Sequence, residues 1–172
     1  IKMKENKYEN ETFFEAYSRC PRSVGGLNAA GEWHERQKLL PSLAGKRVLD
    51  LGCGFGWHCI YAAEQGASYV LGTDISEKML AVAKEKTHFS NVEYRRLAME
   101  DMDFPPDTFD VAISSLAFHY TPDFGHVCRR VNACLPVGGR FVFSVEHPVF
   151  TAYGTQDWCY DDDGRPDHWP VD

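Results

Sequence analysis

Three glycines at alternate positions follow an apolar stretch within residues 48–58, which read VLDLGCGFGWH. Glycine has no Cβ, so Gly52, Gly54 and Gly56 can adopt positive φ angles and bring backbone N–H groups against a ligand. The related fingerprint for dinucleotides needs a small residue at position 57, where the helix packs closely and a pyrophosphate binds. Trp57 stands there instead, so the pattern predicts a nucleoside ligand without a pyrophosphate and disfavours a nucleotide-dependent oxidoreductase.

A carboxylate follows the glycines at the separation typical of a ribose ligand. Asp74 ends a short apolar run, roughly 20 residues after the glycines, and an acidic side chain at this separation reaches ribose hydroxyls. We therefore predict that Asp74 binds the ribose of the nucleoside.

Four segments of the chain together resemble the successive motifs of the class I S-adenosylmethionine-dependent methyltransferases. They are residues 50–56, 72–76, 104–111 and 135–141, which read DLGCGFG, GTDIS, FPPDTFDV and LPVGGRF. The resemblance covers residues 46–147 and is strongest to the small-molecule, methyltransferase type 11-like branch, which contains the ubiquinone and menaquinone C-methylating enzymes. It implies S-adenosyl-L-methionine as the cofactor. It also implies an enzyme that methylates oxygen, carbon or a simple nitrogen of a small-molecule acceptor.

The resemblance further implies how the cofactor is held. Adenine would lie between Ile75 and the loop around Met99, whose backbone N–H would bind a ring nitrogen. Ala98 stands where the family commonly has an aspartate, so the contact to the adenine amino group falls to Glu100 or to a backbone carbonyl. The complete set of predicted cofactor-binding residues is Asp50, Gly52, Cys53, Gly54, Gly56, Asp74, Ile75, Met79, Met99, Glu100 and Ser115.

Asp50 has two interpretations, which the sequence does not separate. Its carboxylate meets the cofactor's ammonium, directly or through water, or it accepts hydrogen bonds from the N–H groups of the glycine loop and holds the turn. Both arrangements would raise the affinity for the cofactor.

Candidate proton acceptors follow the fourth and fifth predicted strands. A base is needed only if the acceptor loses a proton when it is methylated, and His119, Tyr120 and His147 are placed for that task. His119 has the alternative of simply bonding to the backbone. Residues 114–120, SSLAFHY, bear no likeness to the Asn/Asp-Pro-Pro-aromatic motif of enzymes that methylate nucleobase or amide nitrogens, which favours a small organic acceptor.

Composition limits the class of protein. The 172 residues are 44% hydrophobic and carry a formal net charge of −7, which indicates one globular domain and argues against a nucleic-acid substrate. No apolar run reaches the ~20 residues that cross a bilayer, so we expect a cytoplasmic protein without a membrane partner, a monomer or homodimer. Six cysteines without a C-x-x-C pair predict reduced thiols and no metal site.

Strand and helix patterns alternate from residue 46 onward. Strands are predicted at 47–51, 68–73, 92–95, 109–115 and 140–146, and helices at 57–65, 76–85 and 123–135. This order predicts an α/β fold, a three-layer doubly wound Rossmann-like sheet that is mostly parallel and binds its ligand at the carboxyl ends of the strands. Helical patterns at 11–19 and 32–43, joined by a loop, would cap the sheet. Tyr17, Leu27 and Trp33 are candidates for a lid there, with ordinary packing as the alternative.

Three regions are expected within this single domain: a helical cap at 1–45, the cofactor-binding core at 46–147, and a loop or the start of a C-terminal part at 148–172. The resembling fold ends with a sixth and a seventh strand, and no such segments follow residue 146. We therefore expect the C-terminal strands to be missing, with the chain a portion of a longer protein. A non-catalytic S-adenosylmethionine-binding domain or truncated fragment is the alternative function. The acidic residues 161–163 favour a solvated turn over a metal site.

Overall fold

The computed structural model describes residues 6–147, residue 149 and residues 158–168. Five parallel strands form the main sheet, in the order β3-β2-β1-β4-β5. They are β1 (Arg47–Leu51), β2 (Tyr69–Asp74), β3 (Val92–Arg96), β4 (Val111–Ser115) and β5 (Arg140–Ser144). The chain order reverses between β1 and β4, which confirms the predicted doubly wound sheet and marks the position where such sheets bind ligands.

Helices cover both faces of this sheet. The α-helices among the described residues are α1 (Glu11–Ser18), α2 (Pro21–Gly25), α3 (Trp33–Arg36), α4 (Trp57–Glu64), α5 (Glu77–Lys86) and α6 (Phe124–Cys134). Short 3₁₀ turns are present at Lys7–Glu9, Gly26–Ala29, Gln37–Leu39, Met99–Asp101 and Phe118–Tyr120. Within the described ranges, none of these helices has the length and apolar character needed to cross a membrane.

The core is split by the sheet into two apolar clusters. Val48 of β1 packs with Cys59 and Ala62 of α4 on one face, while Leu49 of β1 packs with Val127 of α6 on the other. Successive side chains of a strand point to opposite faces, so the central strands are apolar at nearly every position. The alternation places the side chain of Asp50 on the α4 face, beneath the glycine loop.

Side-chain caps fix where two site-forming helices begin. The Ser76 hydroxyl accepts a hydrogen bond from Met79 N at 3.2 Å and starts α5, which confirms the predicted cap. The Asp123 carboxylate accepts from His126 N at 2.7 Å at the start of α6. These caps set the positions of the loops that precede both helices at the ligand-binding edge.

The structure corrects the prediction in the first 45 residues. Residues 21–28 were expected to form a loop but form α2 and a 3₁₀ turn, because Pro21 is preorganised for the first helical position. The helix expected at 32–43 is only α3 and one 3₁₀ turn, since Leu40 before Pro41 takes the extended backbone that a following proline favours.

The end of the chain also differs from the expected loop. Within residues 158–168, β6 (Cys159–Tyr160) and β7 (Pro166–His168) pair as a small antiparallel sheet, separate from the main one. The Asp161 carboxylate accepts hydrogen bonds from Asp163 N and Arg165 N, so the predicted acidic turn connects these two strands. Strands β4 and β5 are shorter than predicted, at Val111–Ser115 and Arg140–Ser144.

Candidate functional site

A cavity of about 230 Å³ lies at the carboxyl ends of β1, β2 and β4. Its wall combines the glycine loop, the β2–α5 turn, the loop after β3, the loop after β4 and the N-terminal segment. The lining residues are Lys7, Tyr8, Tyr17, Arg22, Gly52, Gly54, Asp74, Ile75, Met79, Leu97, Ala98, Met99, Glu100, Ser115, Leu116, Ala117, His119, Tyr120 and Glu146. We call Gly52, Gly54 and Asp74 the glycine-loop end, and Tyr8, His119, Tyr120 and Glu146 the tyrosine end.

All three loop glycines have the predicted positive φ, at 69° for Gly52, 53° for Gly54 and 76° for Gly56. Their N–H groups are not arranged as predicted, however. Gly52 N and Cys53 N both donate to the carbonyl of Thr73, at 2.8 and 2.9 Å. Neighbouring strand β2 therefore holds the loop, and what the glycines offer a ligand is mainly the absence of a side chain.

The three glycines have different neighbours. A Cβ on Gly52 would lie 2.5 Å from the Cβ of Ala117 at the cavity wall, whereas one on Gly56 would lie 2.2 Å from Tyr94 Oη. Gly56, like Cys53, is not among the residues that line the main cavity. The cofactor contacts predicted for these two residues remain predictions.

Asp74 links the glycine loop to α5. Its Oδ2 accepts a hydrogen bond from Gly54 N and its Oδ1 from Ser76 N, each at 2.9 Å. Burial raises the pKa of this carboxyl, and the backbone donors act in the opposite direction. A carboxylate has about four acceptor positions, so Asp74 can accept hydroxyl groups from the cavity in addition to both backbone bonds.

The wall beyond Asp74 is largely apolar. Ile75, Met79 and Met99 line it, and Glu100 adds a carboxylate. The 3₁₀ turn Met99–Asp101 is held from α6, where His126 Nε2 lies 3.0 Å from the carbonyl oxygen of Glu100. A flat, apolar base and a polar sugar fit this succession of groups. The individual adenine contacts stay predictions.

Asp50 lies behind the glycine loop and does not line the cavity. Its Oδ2 accepts a hydrogen bond from Cys59 Sγ at 3.4 Å, and within the part of the chain that the structure describes Oδ1 has no partner. Burial raises the pKa of this carboxyl to about 7, against the opposing charge of Arg36. The N–H groups of Gly52 and Cys53 donate to Thr73 and that of Gly54 donates to Asp74, so the interpretation that Asp50 holds the loop is wrong, while its contact to an ammonium remains a prediction.

The tyrosine end is closed by the N-terminal segment. Tyr8 Oη lies 3.3 Å from Tyr120 Oη, and the Tyr8 ring packs edge-on against Tyr17 with centroids 5.1 Å apart. Lys7 Nζ lies 5.8 Å from the centre of the Tyr120 ring. Burial is the main cause that raises the pKa of Tyr8, so its phenol is protonated at neutral pH.

His119 and His147 differ in placement. His119 lines the cavity with Nε2 4.0 Å from Glu146 Oε1, and its buried Nδ1 has no hydrogen-bond partner among residues 6–147, 149 and 158–168. His147 is exposed, and its Nδ1 accepts a hydrogen bond from Val149 N at 3.2 Å. The structure therefore brings His119 and Tyr120 into the cavity but not His147.

Several lining residues were missed by the sequence analysis. Lys7, Tyr8 and Arg22 belong to a segment without a recognised motif, whereas Glu146 is the second residue after β5, at the edge of the sheet where ligands are expected. Of the lid candidates, Tyr17 lines the cavity. Leu27 lines a smaller neighbouring cavity, while Trp33 is buried against Tyr61 and His58 as an ordinary packing residue.

The smaller cavity, of about 70 Å³, lies on the other side of the glycine loop. Its lining residues are Tyr17, Arg22, Gly26, Leu27, Ala30, Gly52, Cys53, Gly54, Phe55, Trp57, His58 and Ser115. Trp57 packs on Gly26, where an added Cβ would lie 3.0 Å from the indole ring. The large side chain at position 57 thus fastens α2 and the following turn to the glycine loop.

The sequence and the structure of this chain are both similar to those of known methyltransferases. The sequence profile of the methyltransferase domain family matches residues 49–143. A candidate S-adenosylmethionine-dependent methyltransferase from Listeria monocytogenes is 58% identical, with a TM-score of 0.81 over 86% of this chain and 66% of that one. Among curated relatives, a ubiquinone biosynthesis O-methyltransferase of Bradyrhizobium sp. is 36% identical over 67% of this chain and 46% of its own length.

The acceptors named for the relatives are diverse. A tRNA U34 carboxymethyltransferase of Hahella chejuensis is 35% identical over 64% of this chain and 35% of its own length. The chain thus spans less than half of the length of each of these two curated relatives.

Proposed function

Because the chain belongs to the family of S-adenosylmethionine-dependent methyltransferases, we propose that it transfers a methyl group from this cofactor to a small molecule. The observation that supports this most directly is that one cavity joins the glycine-loop end to the tyrosine end. A cofactor and an acceptor can therefore lie next to each other in one cavity.

The residues of the glycine-loop end fit the nucleoside of S-adenosylmethionine. Asp74 accepts two backbone hydrogen bonds, which leaves further lone pairs on its carboxylate oxygens free. We propose that these lone pairs accept hydrogen bonds from the ribose hydroxyls. Ile75, Met79 and Met99 provide apolar surface for adenine, and Gly52 keeps the wall open because it lacks a side chain. Ser115 and Glu100 complete the polar lining of this end.

The tyrosine end would orient the acceptor. S-adenosylmethionine supplies an electrophilic methyl group, so the protein mainly has to align a nucleophile and exclude water. The protonated phenol of Tyr8 can donate a hydrogen bond to an acceptor oxygen or nitrogen. Tyr8 and Tyr17, both from the N-terminal segment, together cover one side of the cavity.

His119 is the proposed base for acceptors that lose a proton. Its ring borders the cavity, with Nε2 4.0 Å from Glu146 Oε1. His147 lies outside the cavity, so the geometry gives it no part in this step. Tyr120 contributes its ring beside His119, with centroids 4.2 Å apart.

We place the acceptor among small molecules with a reactive oxygen, carbon or simple amine. The net charge of −7 offers no general attraction for a nucleic-acid backbone, and the cavity is covered by Tyr8 and Tyr17. All six cysteines are unpaired thiols, which supports a cytoplasmic location. A non-catalytic cofactor-binding domain is the alternative, which cofactor binding alone does not distinguish.

Calorimetric titration with S-adenosylhomocysteine, with NADH as the comparison, tests the cofactor assignment. We expect micromolar binding of S-adenosylhomocysteine and none of NADH. Turnover is then measured as S-adenosylhomocysteine release in the presence of phenols, amines and carbon acids. Absence of any S-adenosylhomocysteine binding would overturn the proposal, and binding without turnover on any acceptor would favour the non-catalytic alternative.

A further inference from the structure

Three tyrosine rings meet at the acceptor side of the main cavity. Tyr8, Tyr17 and Tyr120 all line this cavity. The rings of Tyr17 and Tyr120 are both nearly perpendicular to the ring of Tyr8, at 83° and 82°, with centroids 5.1 and 6.1 Å from its own. The three rings therefore form a corner rather than a flat stack, and we call them the tyrosine corner.

An ammonium group already lies at the tyrosine corner. Lys7 Nζ is located over the ring of Tyr120, 5.8 Å from its centre. The face of an aromatic ring carries partial negative charge, so it attracts a cation within about 6 Å and repels an anion. Because Lys7 itself lines the cavity, the face of Tyr120 is within reach of a cation in that space.

The phenol oxygens of the corner can accept hydrogen bonds from the same cation. Tyr8 Oη and Tyr120 Oη lie 3.3 Å apart, and a bond between them leaves a lone pair on each oxygen. Burial is the main cause that raises the pKa of Tyr8 and of Tyr17, so both rings stay uncharged at neutral pH. An ammonium group can thus donate to a phenol oxygen while it lies near a ring face.

The charged groups of the cavity wall also favour a cation. Among the described residues, more carboxylates than cations line the cavity: Asp74, Glu100 and Glu146 against Lys7 and Arg22. Arg22 is moreover paired with Glu32, which lies outside this wall. The chain as a whole has a formal net charge of −7, which attracts a cationic ligand as well.

One of these carboxylates is close to the tyrosine corner. The ring of His119 lies beside that of Tyr120, with centroids 4.2 Å apart, and its Nε2 is 4.0 Å from Glu146 Oε1. The Glu146 side chain is 41% exposed, so its charge is partly screened by water. The cavity therefore has a ring face, a proposed base and a carboxylate next to one another.

Methylation of nitrogen and methylation of oxygen place opposite charges at this corner. The lone pair of an amine nitrogen forms a bond to the methyl carbon, and the electron pair of the broken carbon–sulfur bond passes to sulfur, which leaves S-adenosylhomocysteine. The nitrogen becomes positively charged, and a primary or secondary ammonium first gives one proton to His119. A phenol instead attacks as an anion, which ring faces and Glu146 repel.

We infer that the methyl acceptor is an amine, and that its nitrogen is bound in the tyrosine corner against the face of Tyr120, with Glu146 as its counter-charge. This inference rests on the proposed function, from whose three acceptor classes it selects one. Tyr120 and Glu146 then determine specificity, because both favour positive charge on the acceptor atom.

The first test compares two probes that have the same shape and differ in charge. Choline carries a quaternary ammonium, and 3,3-dimethylbutan-1-ol has a carbon atom in place of that nitrogen. Each is titrated by calorimetry into the protein saturated with S-adenosylhomocysteine, so that the cofactor end is already occupied. We expect choline to bind about 10-fold more tightly than the alcohol, as a cation that contacts a ring face should.

Variants of Tyr120 show whether the ring recognises the charge. Tyr120→Leu removes the ring face and should lower the affinity for choline about 10-fold, with less than about 3-fold change for the alcohol. Tyr120→Phe keeps the ring without the hydroxyl and should retain the preference for choline. Thermal unfolding and S-adenosylhomocysteine binding show that each variant is folded.

Variants of charged residues test the electrostatic part. Glu146→Gln should lower the affinity for choline by only about 3-fold, because this carboxylate is partly exposed. Lys7→Gln removes the cation that now lies over Tyr120 and should raise that affinity about 3-fold. Glu85→Gln is the control, since it removes an exposed carboxylate near the end of α5 and should change neither probe.

Turnover compares the two acceptor atoms directly. Benzylamine and p-cresol are aromatic acceptors of similar size, one with an amine and the other with a phenol. S-adenosylhomocysteine release is measured with each. We expect release with benzylamine and none with p-cresol.

The outcomes separate this inference from the function on which it rests. Equal affinity for choline and the alcohol, or faster methylation of p-cresol than of benzylamine, would overturn the amine assignment while the cofactor assignment stood. An equal loss of both probes in Tyr120→Leu would show that this ring supplies only apolar surface. If the protein bound no S-adenosylhomocysteine, the proposed function itself would fail.

Discussion

The glycine-loop end and the tyrosine end of the cavity are built in different ways. At the glycine-loop end, backbone bonds between neighbouring strand ends hold the chain, such as those from Gly52 and Cys53 to Thr73. At the tyrosine end, side chains from distant segments meet, and Tyr8 and Tyr120 are 112 residues apart in sequence. The first arrangement is fixed by the sheet itself, whereas the second depends on how the N-terminal segment docks.

The docking of the N-terminal segment connects the two ends. Glu9 Oε1 accepts a hydrogen bond from the Ser76 hydroxyl at 2.8 Å, and Tyr17 packs against Phe55 with ring centroids 5.7 Å apart. The cover over the acceptor region is thus attached to the elements that flank the glycine-loop end.

The largest effect should come from Gly52→Ala. The new Cβ would lie 2.5 Å from the Cβ of Ala117 at a φ of 69°, so both overpacking and backbone strain arise. We expect a loss of about 5 kcal/mol in the free energy of unfolding, or loss of S-adenosylhomocysteine binding where the variant folds. Urea unfolding and calorimetry measure the two effects.

Gly138→Ala is the control that separates the backbone strain of a positive φ from the close packing on Ala117. Gly138 has a φ of 82° with no atom within 4 Å of an added Cβ, so only the strain of about 1 kcal/mol should appear. Equal losses in the two variants would show that close packing on Ala117 is not what requires a glycine at position 52.

Asp50→Asn should change how stability depends on pH. The pKa of Asp50 is about 7 in the folded protein, against its ordinary 3.8, so between these values the folded state keeps a proton that the unfolded state loses. The free energy of unfolding therefore falls as pH rises through this window, by about 1.4 kcal/mol per pH unit and about 4 kcal/mol in all. Urea unfolding from about pH 5 to pH 8 should show this fall in the unmodified protein and a flatter curve in the variant. Parallel curves would contradict a raised pKa.

Asp74→Ala should weaken both ligand binding and folding. It removes the acceptor for Gly54 N and Ser76 N together with the proposed ribose contact. We expect S-adenosylhomocysteine and 5′-methylthioadenosine to lose about 100-fold in affinity each, with a smaller loss for Asp74→Asn, which keeps one acceptor oxygen.

Asp110→Ala is the matched control for Asp74. Asp110 accepts hydrogen bonds from Arg47 at the opposite end of β1, away from the cavity. Its loss should lower stability without changing either affinity. Unchanged affinity in Asp74→Ala would refute the ribose assignment.

The same contrast between the ends explains what could be predicted from the sequence. Asp74 and the Ser76 cap are local features, because the hydrogen bonds from Ser76 N and Met79 N run between the end of β2 and the start of α5. A short motif therefore carries their geometry. The sequence did not predict which acceptors the N–H groups of the glycine loop donate to, because this depends on the register between β1 and β2.

The tyrosine end could not be derived in this way. Tyr8 lies in a segment that has no buried strand to fix its place, and only tertiary packing brings it to Tyr120. The sequence placed His119 and Tyr120 after β4, which the structure confirms, but it treated His147 alike although that side chain lies outside the cavity. Which side of a loop a residue faces is decided by contacts that no motif encodes.

Tyr8→Phe should have the smallest effect and is the sharpest test of whether the two ends are separable. The change removes the hydroxyl that lies 3.3 Å from Tyr120 Oη but keeps the ring that packs on Tyr17. We expect at most about 1 kcal/mol of lost stability and less than about 3-fold change in S-adenosylhomocysteine affinity, while turnover of an acceptor falls about 10-fold or more. Tyr69→Phe makes the same chemical change at the start of β2, where the phenol donates to Glu93, and should leave turnover unchanged. A loss of cofactor affinity in Tyr8→Phe as large as that in Asp74→Asn would mean that the N-terminal cover belongs to the cofactor site, because a hydroxyl at the acceptor end would then control the ribose end as well.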